Sequence, residues 1–180
     1  YPHIGTVTPL TNNGTICSVP NFLEDNKVPK GFTIDSFAEL IERISSNNIY
    51  EVPTAVGFAM YIKREVINKI GYFDDILYGK GYCEENDFSF RAKEAGYINI
   101  ICDNTYIYHN GSMSFGKTRN KRIEEKFKKL NYRYPKHSLE IEKFILRNPL
   151  SDIHNKIKRY VETDNLKNIL AQEKLPKLQW

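Results

Sequence analysis

The stretch from Glu84 to Cys102 reads EENDFSFRAKEAGYINIIC. Its first part has the marks of a helix. Glu84, Glu85 and Asp87 fall in the first turn, where carboxylates meet the positive end of the helix dipole. Phe88, Ala92 and Ala95 recur on one face as a buried stripe. Gly96 stands where a helix-ending glycine belongs. Tyr97 to Cys102 is then an apolar run of strand length. A capped helix, a glycine and a strand in succession place the chain in the α/β class.

Working outward, Ile4 to Pro9 predicts a strand that Pro9 ends. Thr11 to Lys30 is a connection of unusual length, with Asn12, Asn13, Gly14, Pro20 and Pro29, and long connections are often functional. Ser36 to Glu39 has the spacing of a capping box. Phe37, Leu40, Ile41 and Ile44 continue it at helical period. Thr54, Val56, Phe58, Met60 and Ile62 alternate, which predicts one strand over Glu51 to Lys63. Gly57 inside it marks a bulge or a close backbone approach by a ligand. Arg64 to Ile70 is a short helix stopped by Gly71, and Phe73 to Tyr82 is a glycine-punctuated loop. A further strand is expected over Thr105 to His109, then a loop from Asn110 to Gly116. Helices are expected over Arg119 to Leu130, Leu139 to Arg147 and Ile153 to Val161. Strands and helices mix up to residue 116, and helices dominate after it. The expected organisation is therefore an α/β layer over 1–116 and a basic helical extension over 117–180.

Composition narrows the class. Of 180 residues, 41% are hydrophobic and 27% charged, which excludes a disordered polyelectrolyte. No apolar run nears the roughly 20 residues of a membrane helix. No signal peptide is apparent, and the chain opens on Tyr1 rather than methionine, so it is expected to begin inside a longer protein. Cys17, Cys83 and Cys102 form no C-x-x-C pair, and an odd count argues against a disulfide framework and against zinc. The expected location is cytoplasmic. The net charge of +4 is too mild to name a partner. Lys117 to Lys136, however, carries nine bases against Glu124 and Glu125. That run is a solvated helix face, or an attractor for a phosphorylated ligand or an anionic membrane surface at the inner face of the membrane. No nucleic-acid motif accompanies it.

Two elements carry chemistry. The first is the acidic turn in Tyr82 to Arg91, YCEENDFSFR. As structure, it is a satisfied helix start with an Asp87–Arg91 pair at i, i+4. As function, carboxylates entered from a glycine loop sit at a sheet rim, where they can accept a proton, hold a metal or bind sugar hydroxyls. Phe73, Tyr78, Tyr82 and Phe88 add aromatic density suited to a carbohydrate. The second element is YHNGSMSFG, Tyr108 to Gly116. His109 ends a strand and opens into a flexible loop, where it can be structural or a ligand. Ser112 and Ser114 could donate hydrogen bonds to phosphate oxygens.

Taken in order, four segments resemble the family 2 glycosyltransferases with a GT-A fold. Val52 to Arg64 looks like that family's small-residue strand leading to a basic turn. Gly71-Tyr72-Phe73-Asp74-Asp75 looks like its G-x-F-D-E segment. Glu84 to Arg91 looks like E-D-x-D-L-x-x-R, and His109 to Ser114 looks like H-x-x-S-x-S. Gly5 to Leu10 is similar to the strand after the donor half, and Asn131 to Pro135 to the tail of bacterial rhamnosyltransferase-like members. The resemblance covers residues 1–150 and implies the acceptor-side half of a GT-A-like mixed sheet. It also implies inverting transfer of a sugar from a nucleotide-diphosphate donor to a glycan or lipid-linked acceptor, in bacterial surface polysaccharide synthesis. It puts the base on Glu85, with Asp87 second, and substrate contacts on Gly57, Phe58, Glu84, Arg91, Ser112 and Ser114. It puts a divalent metal, Mg²⁺ or Mn²⁺, or the donor diphosphate on His109. No D-x-D motif occurs in the chain, so the donor-binding N-terminal half is expected elsewhere in the same polypeptide. The isolated chain is then inactive. Two rivals stand beside this reading: a non-catalytic binding or scaffold domain of transferase-like shape, and a glycoside hydrolase using two carboxyl groups.

Overall fold

The computed structural model describes residues 1–79, 81–111 and 119–162, the side chains of 119–122 excepted. Its centre is a four-stranded mixed sheet in the order β2-β4-β1-β3. The strands are β1 (Ile4–Leu10), β2 (Ile49–Val52), β3 (Tyr61–Ile62) and β4 (Ile98–Tyr106). β1 and β4 run parallel, and β3 and β2 flank them antiparallel. The expected α/β class is what the described residues form.

Seven helices surround the sheet among the described residues: α1 (Ile34–Ile44), α2 (Arg64–Ile70), α3 (Asp75–Tyr78), α4 (Glu84–Glu94), α5 (Arg119–Arg133), α6 (His137–Arg147) and α7 (Ser151–Glu162). α1 buries Phe37, Leu40 and Ile41, the stripe expected from their period. Its cap lies earlier than the sequence suggests. Thr33 Oγ1 accepts the Ser36 amide at 3.1 Å, and Ser36 Oγ accepts the Thr33 amide at 2.9 Å. Thr33 reaches the free amides one turn before Ser36 could, so Ser36 becomes the third helical residue instead of the cap. Thr33→Ala should cost about 1 kcal/mol, read as a melting temperature lower by roughly 2–4 °C.

Two expected strands are corrected. The alternation over Glu51 to Lys63 is not one strand: only Ile49–Val52 and Tyr61–Ile62 pair. Between them the chain leaves the sheet after Pro53. The Ala55 amide donates to Ser89 Oγ at 3.0 Å and the Val56 amide to Thr8 Oγ1 at 3.3 Å, so side chains take the place of a neighbouring strand. Conversely, the run expected as two strands around Asp103 is one continuous β4. Asp103 looks like a turn residue, yet it is buried and accepts the Asn48 amide at 2.9 Å and the Ser45 hydroxyl, which fixes the α1–β2 connection. The loop over Phe73 to Tyr82 also contains α3, capped by Asp74 Oδ1 on the Leu77 amide at 3.0 Å.

Three clusters of buried side chains hold the layers together. The main one joins Leu10, Val52, Ile101 and Tyr106 of the sheet to Phe37 and Ile41 of α1, Phe144 of α6, and Ile153 and Ile157 of α7. A second joins Tyr78, Cys83 and Phe90 to Leu130 of α5 and to Tyr134 just after it. A third joins Val66 of α2 to Phe88 and Ala92 of α4. Helices beyond residue 116 thus contribute to the same cores as the sheet. The expected boundary at 116, like the Asn110 to Gly116 loop beyond Gly111, lies outside the described residues. No described helix is long and apolar enough to cross a membrane.

Candidate active site

The acidic turn is entered under strain. Gly81, Tyr82 and Cys83 have φ of +74°, +73° and +76°, three left-handed residues in a row. Left-handed backbone is costly for Tyr and Cys, and such strain persists where surrounding structure holds it. It delivers Glu84 and Glu85 to the wall of a cleft of about 790 Å³. The Pro53–Met60 connection forms the rim next to it with Gly57 and Phe58, and the Asn13–Ile16 loop, α5 and α6 close the remaining sides.

Glu85 lies in this cleft with Asn86 Nδ2 donating to its Oε1 at 3.0 Å. Its backbone carbonyl accepts from Ser89 Oγ at 2.7 Å, and Ser89 in turn accepts from the Ala55 amide, so the base of the turn and the neighbouring rim share one hydroxyl. Burial pushes the Glu85 carboxyl up to about 7; nearby Glu84 adds to this, while backbone amides and Lys126 oppose it. The side chain is thus not the ordinary ionised glutamate that its sequence context suggests. Gly57 faces it directly. A Cβ on Gly57 would stand 3.3 Å from Glu85 Cγ, so the close approach that Gly57 permits is that of Glu85. Gly57→Val should displace Glu85, lowering any turnover that depends on it while circular dichroism and melting temperature stay near wild type. Unchanged turnover would mean that Glu85 tolerates repositioning.

Glu84 also lines the cleft, and its Oε2 is buried without a hydrogen-bond partner among the described residues. His109 lines the same cleft. Its ring stacks on Phe58 at 5.2 Å between centroids. Nδ1 lies 2.6 Å from the Asn13 carbonyl. A carbonyl only accepts, so Nδ1 carries the proton and Nε2 is the acceptor nitrogen. β4 stops at Tyr106, so His109 does not end a strand as expected but lies in the chain beyond it, where Asn12 holds it, accepting the His109 amide at 2.7 Å and donating to its carbonyl at 3.0 Å.

The remaining expected site residues fall elsewhere. Asp87 is 0% exposed and does not line the cleft. Its Oδ2 pairs with Arg91 Nε at 2.7 Å and its Oδ1 with Arg133 Nη1 at 3.0 Å. Tyr134 and Tyr78 hydroxyls donate to Oδ1 at 3.3 and 3.5 Å. The stripe of Phe88 and Ala92 left Asp87 free in the sequence, but α5, absent from that local pattern, covers it. Arg91 is likewise turned from the cleft, donating to the Ile70 and Tyr72 carbonyls at 2.7 and 2.8 Å. Of the aromatic residues expected around the carboxylates, only Tyr82 lines the cleft; Phe73 packs on Phe88, and Tyr78 is core. Ser112 and Ser114 lie outside the described residues. Cleft residues not anticipated include Asn13, Asn86 and His137, with Ile123, Phe127, Ile141 and Ile145. Asn86 was legible from its place between Glu85 and Asp87. His137 was not, because only tertiary packing brings α6 to the turn.

A divalent cation is a poor fit to these side chains alone. Among the described residues no three His, Cys, Asp or Glu side chains gather as a metal site. Mg²⁺ asks for octahedral oxygen coordination, and His109 offers one nitrogen.

Compared with known proteins, the chain matches no family model, no curated protein and no solved structure.

Proposed function

We propose that this chain is the acceptor-side half of an inverting glycosyltransferase of the GT-A type, with Glu85 as the base. The observation that carries this reading is the Glu85 carboxyl itself, held by Asn86 in a partly apolar cleft and raised by burial to about 7. A base works best with a pKa near the operating pH. An acceptor hydroxyl entering the cleft gives its proton to Glu85 while its oxygen attacks the anomeric carbon of the donor. The bond from that carbon to the nucleoside diphosphate breaks on the opposite face, so the anomeric configuration inverts. Asn86 holds Oε1 and leaves Oε2 as the proton acceptor. His109, which lines the same cleft, is read as a donor-side group whose neutral Nε2 would accept a hydrogen bond from a sugar hydroxyl. The donor half with its D-x-D motif is assigned to the preceding part of the polypeptide. A metal held there would supply charge stabilisation to the leaving diphosphate.

The glycosidase alternative has little support. It needs two carboxyl groups flanking the scissile bond, and the acids among the described cleft residues, Glu84 and Glu85, share one helical turn. The test is a panel of nucleotide sugars given to the polypeptide that carries this chain and its donor half. Transfer with inversion supports the proposal. Failure to bind any nucleotide sugar favours the scaffold reading, and glycan hydrolysis without nucleotide favours the glycosidase.

A further inference from the structure

The cleft carries polar side chains at the acidic turn, the Asn13–Thr15 loop and His109, whereas its α5–α6 wall is apolar beyond His137. His137, Ile141 and Ile145 line it from successive turns of α6, a stripe about 12 Å long at 1.5 Å per residue. The N-terminal end of the stripe meets the acidic turn. His137 Nε2 lies 3.5 Å from Asn86 Oδ1, and Asn86 Nδ2 donates to Glu85 Oε1 at 3.0 Å. From there the stripe leads away from the carboxylates to Ile145, which packs at the margin of the main core. Ile123 and Phe127, one turn apart on α5, face the same space. None of these four side chains can answer a hydroxyl with a hydrogen bond.

We propose that the cleft takes an amphiphilic acceptor, with a hydroxylated head against Asn86 and Glu85 and an aliphatic tail laid along the α5–α6 wall. The assignment of the head rests on Glu85 marking the reacting end, as argued above. A wholly polar glycan would exchange water for isoleucine and phenylalanine along the α5–α6 wall, leaving the hydroxyls on that side without partners. An alkyl chain gains instead, by about four-fold in affinity for each methylene taken out of water. A stripe of two helical turns accommodates a chain about as long as an octyl group. The acceptor class therefore narrows from glycan or lipid-linked to the lipid-linked kind, and the wall that selects it comes from helices beyond the sheet.

The test uses the 180-residue chain with carbon-13 label on the isoleucine methyl groups. Octyl β-D-glucopyranoside, kept below its micelle concentration, is titrated against methyl β-D-glucopyranoside. The expected result is saturable shifts at Ile123, Ile141 and Ile145 with the octyl compound and affinity at least roughly 100-fold weaker for the methyl compound. Ile76, 97% exposed and outside the cleft, reports nonspecific detergent binding and should not move. Ile141→Ser should weaken the octyl glycoside by roughly ten-fold and leave the methyl glycoside as it was. Equal affinity for the two glycosides, or shifts at Ile76 that match those in the cleft, would overturn the proposal. No transfer step enters the measurement. A parent polypeptide that transfers sugar while its cleft ignores the alkyl chain defeats this inference alone. Selective octyl binding in a polypeptide that uses no nucleotide sugar defeats the transferase reading and leaves an amphiphile site.

Discussion

Glu85→Gln should lower turnover of the intact enzyme by roughly 10²–10⁴-fold, the usual worth of a positioned general base, and should make the folded chain more stable at pH 8. The first effect follows from chemistry. The amide keeps the side chain's shape and can still accept the Asn86 hydrogen bond, but it cannot take a proton. The second follows from the direction of the pKa shift. Burial raises Glu85 from its ordinary 4.5 to about 7. Between those values the folded protein holds a proton that the unfolded chain has released, so stability falls as pH rises through that window. Glutamine removes this penalty. Above pH 7 the variant should exceed wild type by on the order of 2 kcal/mol, several degrees in melting temperature, and the two should converge near pH 4.5. The same carboxyl gives the wild-type rate an acid limb centred near pH 7, absent from the residual activity of the variant. Initial rates and thermal melts across pH 4 to 9 read all three effects. A variant that loses stability at pH 8 would show that Glu85 is ordinarily ionised and paired. One that keeps full activity would remove it as the base.

What could be read from the sequence, and what could not, divides by the range of the interactions. Helices α1, α2 and α4 were visible because their signals are local: Phe37, Leu40 and Ile41 at helical period, and Gly71 and Gly96 at the stops. Glu84 and Glu85 were found for the same reason. The Pro53–Met60 connection misled because its alternation is real, yet its amides are bound by Ser89 and Thr8, which are distant in sequence. Asp103 misled in the other direction, a turn-forming residue kept in a strand by partners on α1 and β2. Lys126, Ile123 and Phe127 lie in the run that read as a solvated face or an attractor for a phosphorylated ligand or an anionic membrane surface, whereas α5 sets them beside the acidic turn and the cleft. The charge on that helix was legible; which face it would turn to the protein depended on Asp87, Arg133 and Tyr134 meeting across two elements.

That meeting point supplies the largest expected stability effect. Asp87→Asn removes the carboxylate to which Arg91 and Arg133 are bound at 2.7 and 3.0 Å, in a site with no solvent exposure at the carboxylate. Breaking a buried pair by deleting one partner typically costs about 3–5 kcal/mol, because the other charge is left uncompensated. The cost should fall toward the lower end here, since the Arg133 side chain is 40% exposed and can turn to water, whereas that of Arg91 is only 15% exposed. The expected drop in melting temperature is roughly 10 °C. Tyr78 stays a donor throughout, its hydroxyl pushed up to about 12 chiefly by burial and also by Asp87, and an asparagine Oδ1 can still accept from it. Arg133→Gln is the graded comparison, leaving Asp87 its stronger partner and costing no more than about 1 kcal/mol. Because Arg133 is the last residue of α5 and Tyr134 follows it directly, loosening this junction also loosens the wall that carries Ile123, Lys126 and Phe127. Glu85 should then sense more water, and its carboxyl should titrate below 7, closer to its ordinary 4.5. Carbon-13 titration of the glutamate carboxyls in the Asp87→Asn variant measures that directly, alongside its melting temperature. If Asp87→Asn melts like wild type yet abolishes turnover, Asp87 is the base and the acidic motif is shifted by two residues. If it melts early and Glu85 moves toward 4.5, the junction holds α5 over the cleft and sets the basicity of Glu85 from behind it.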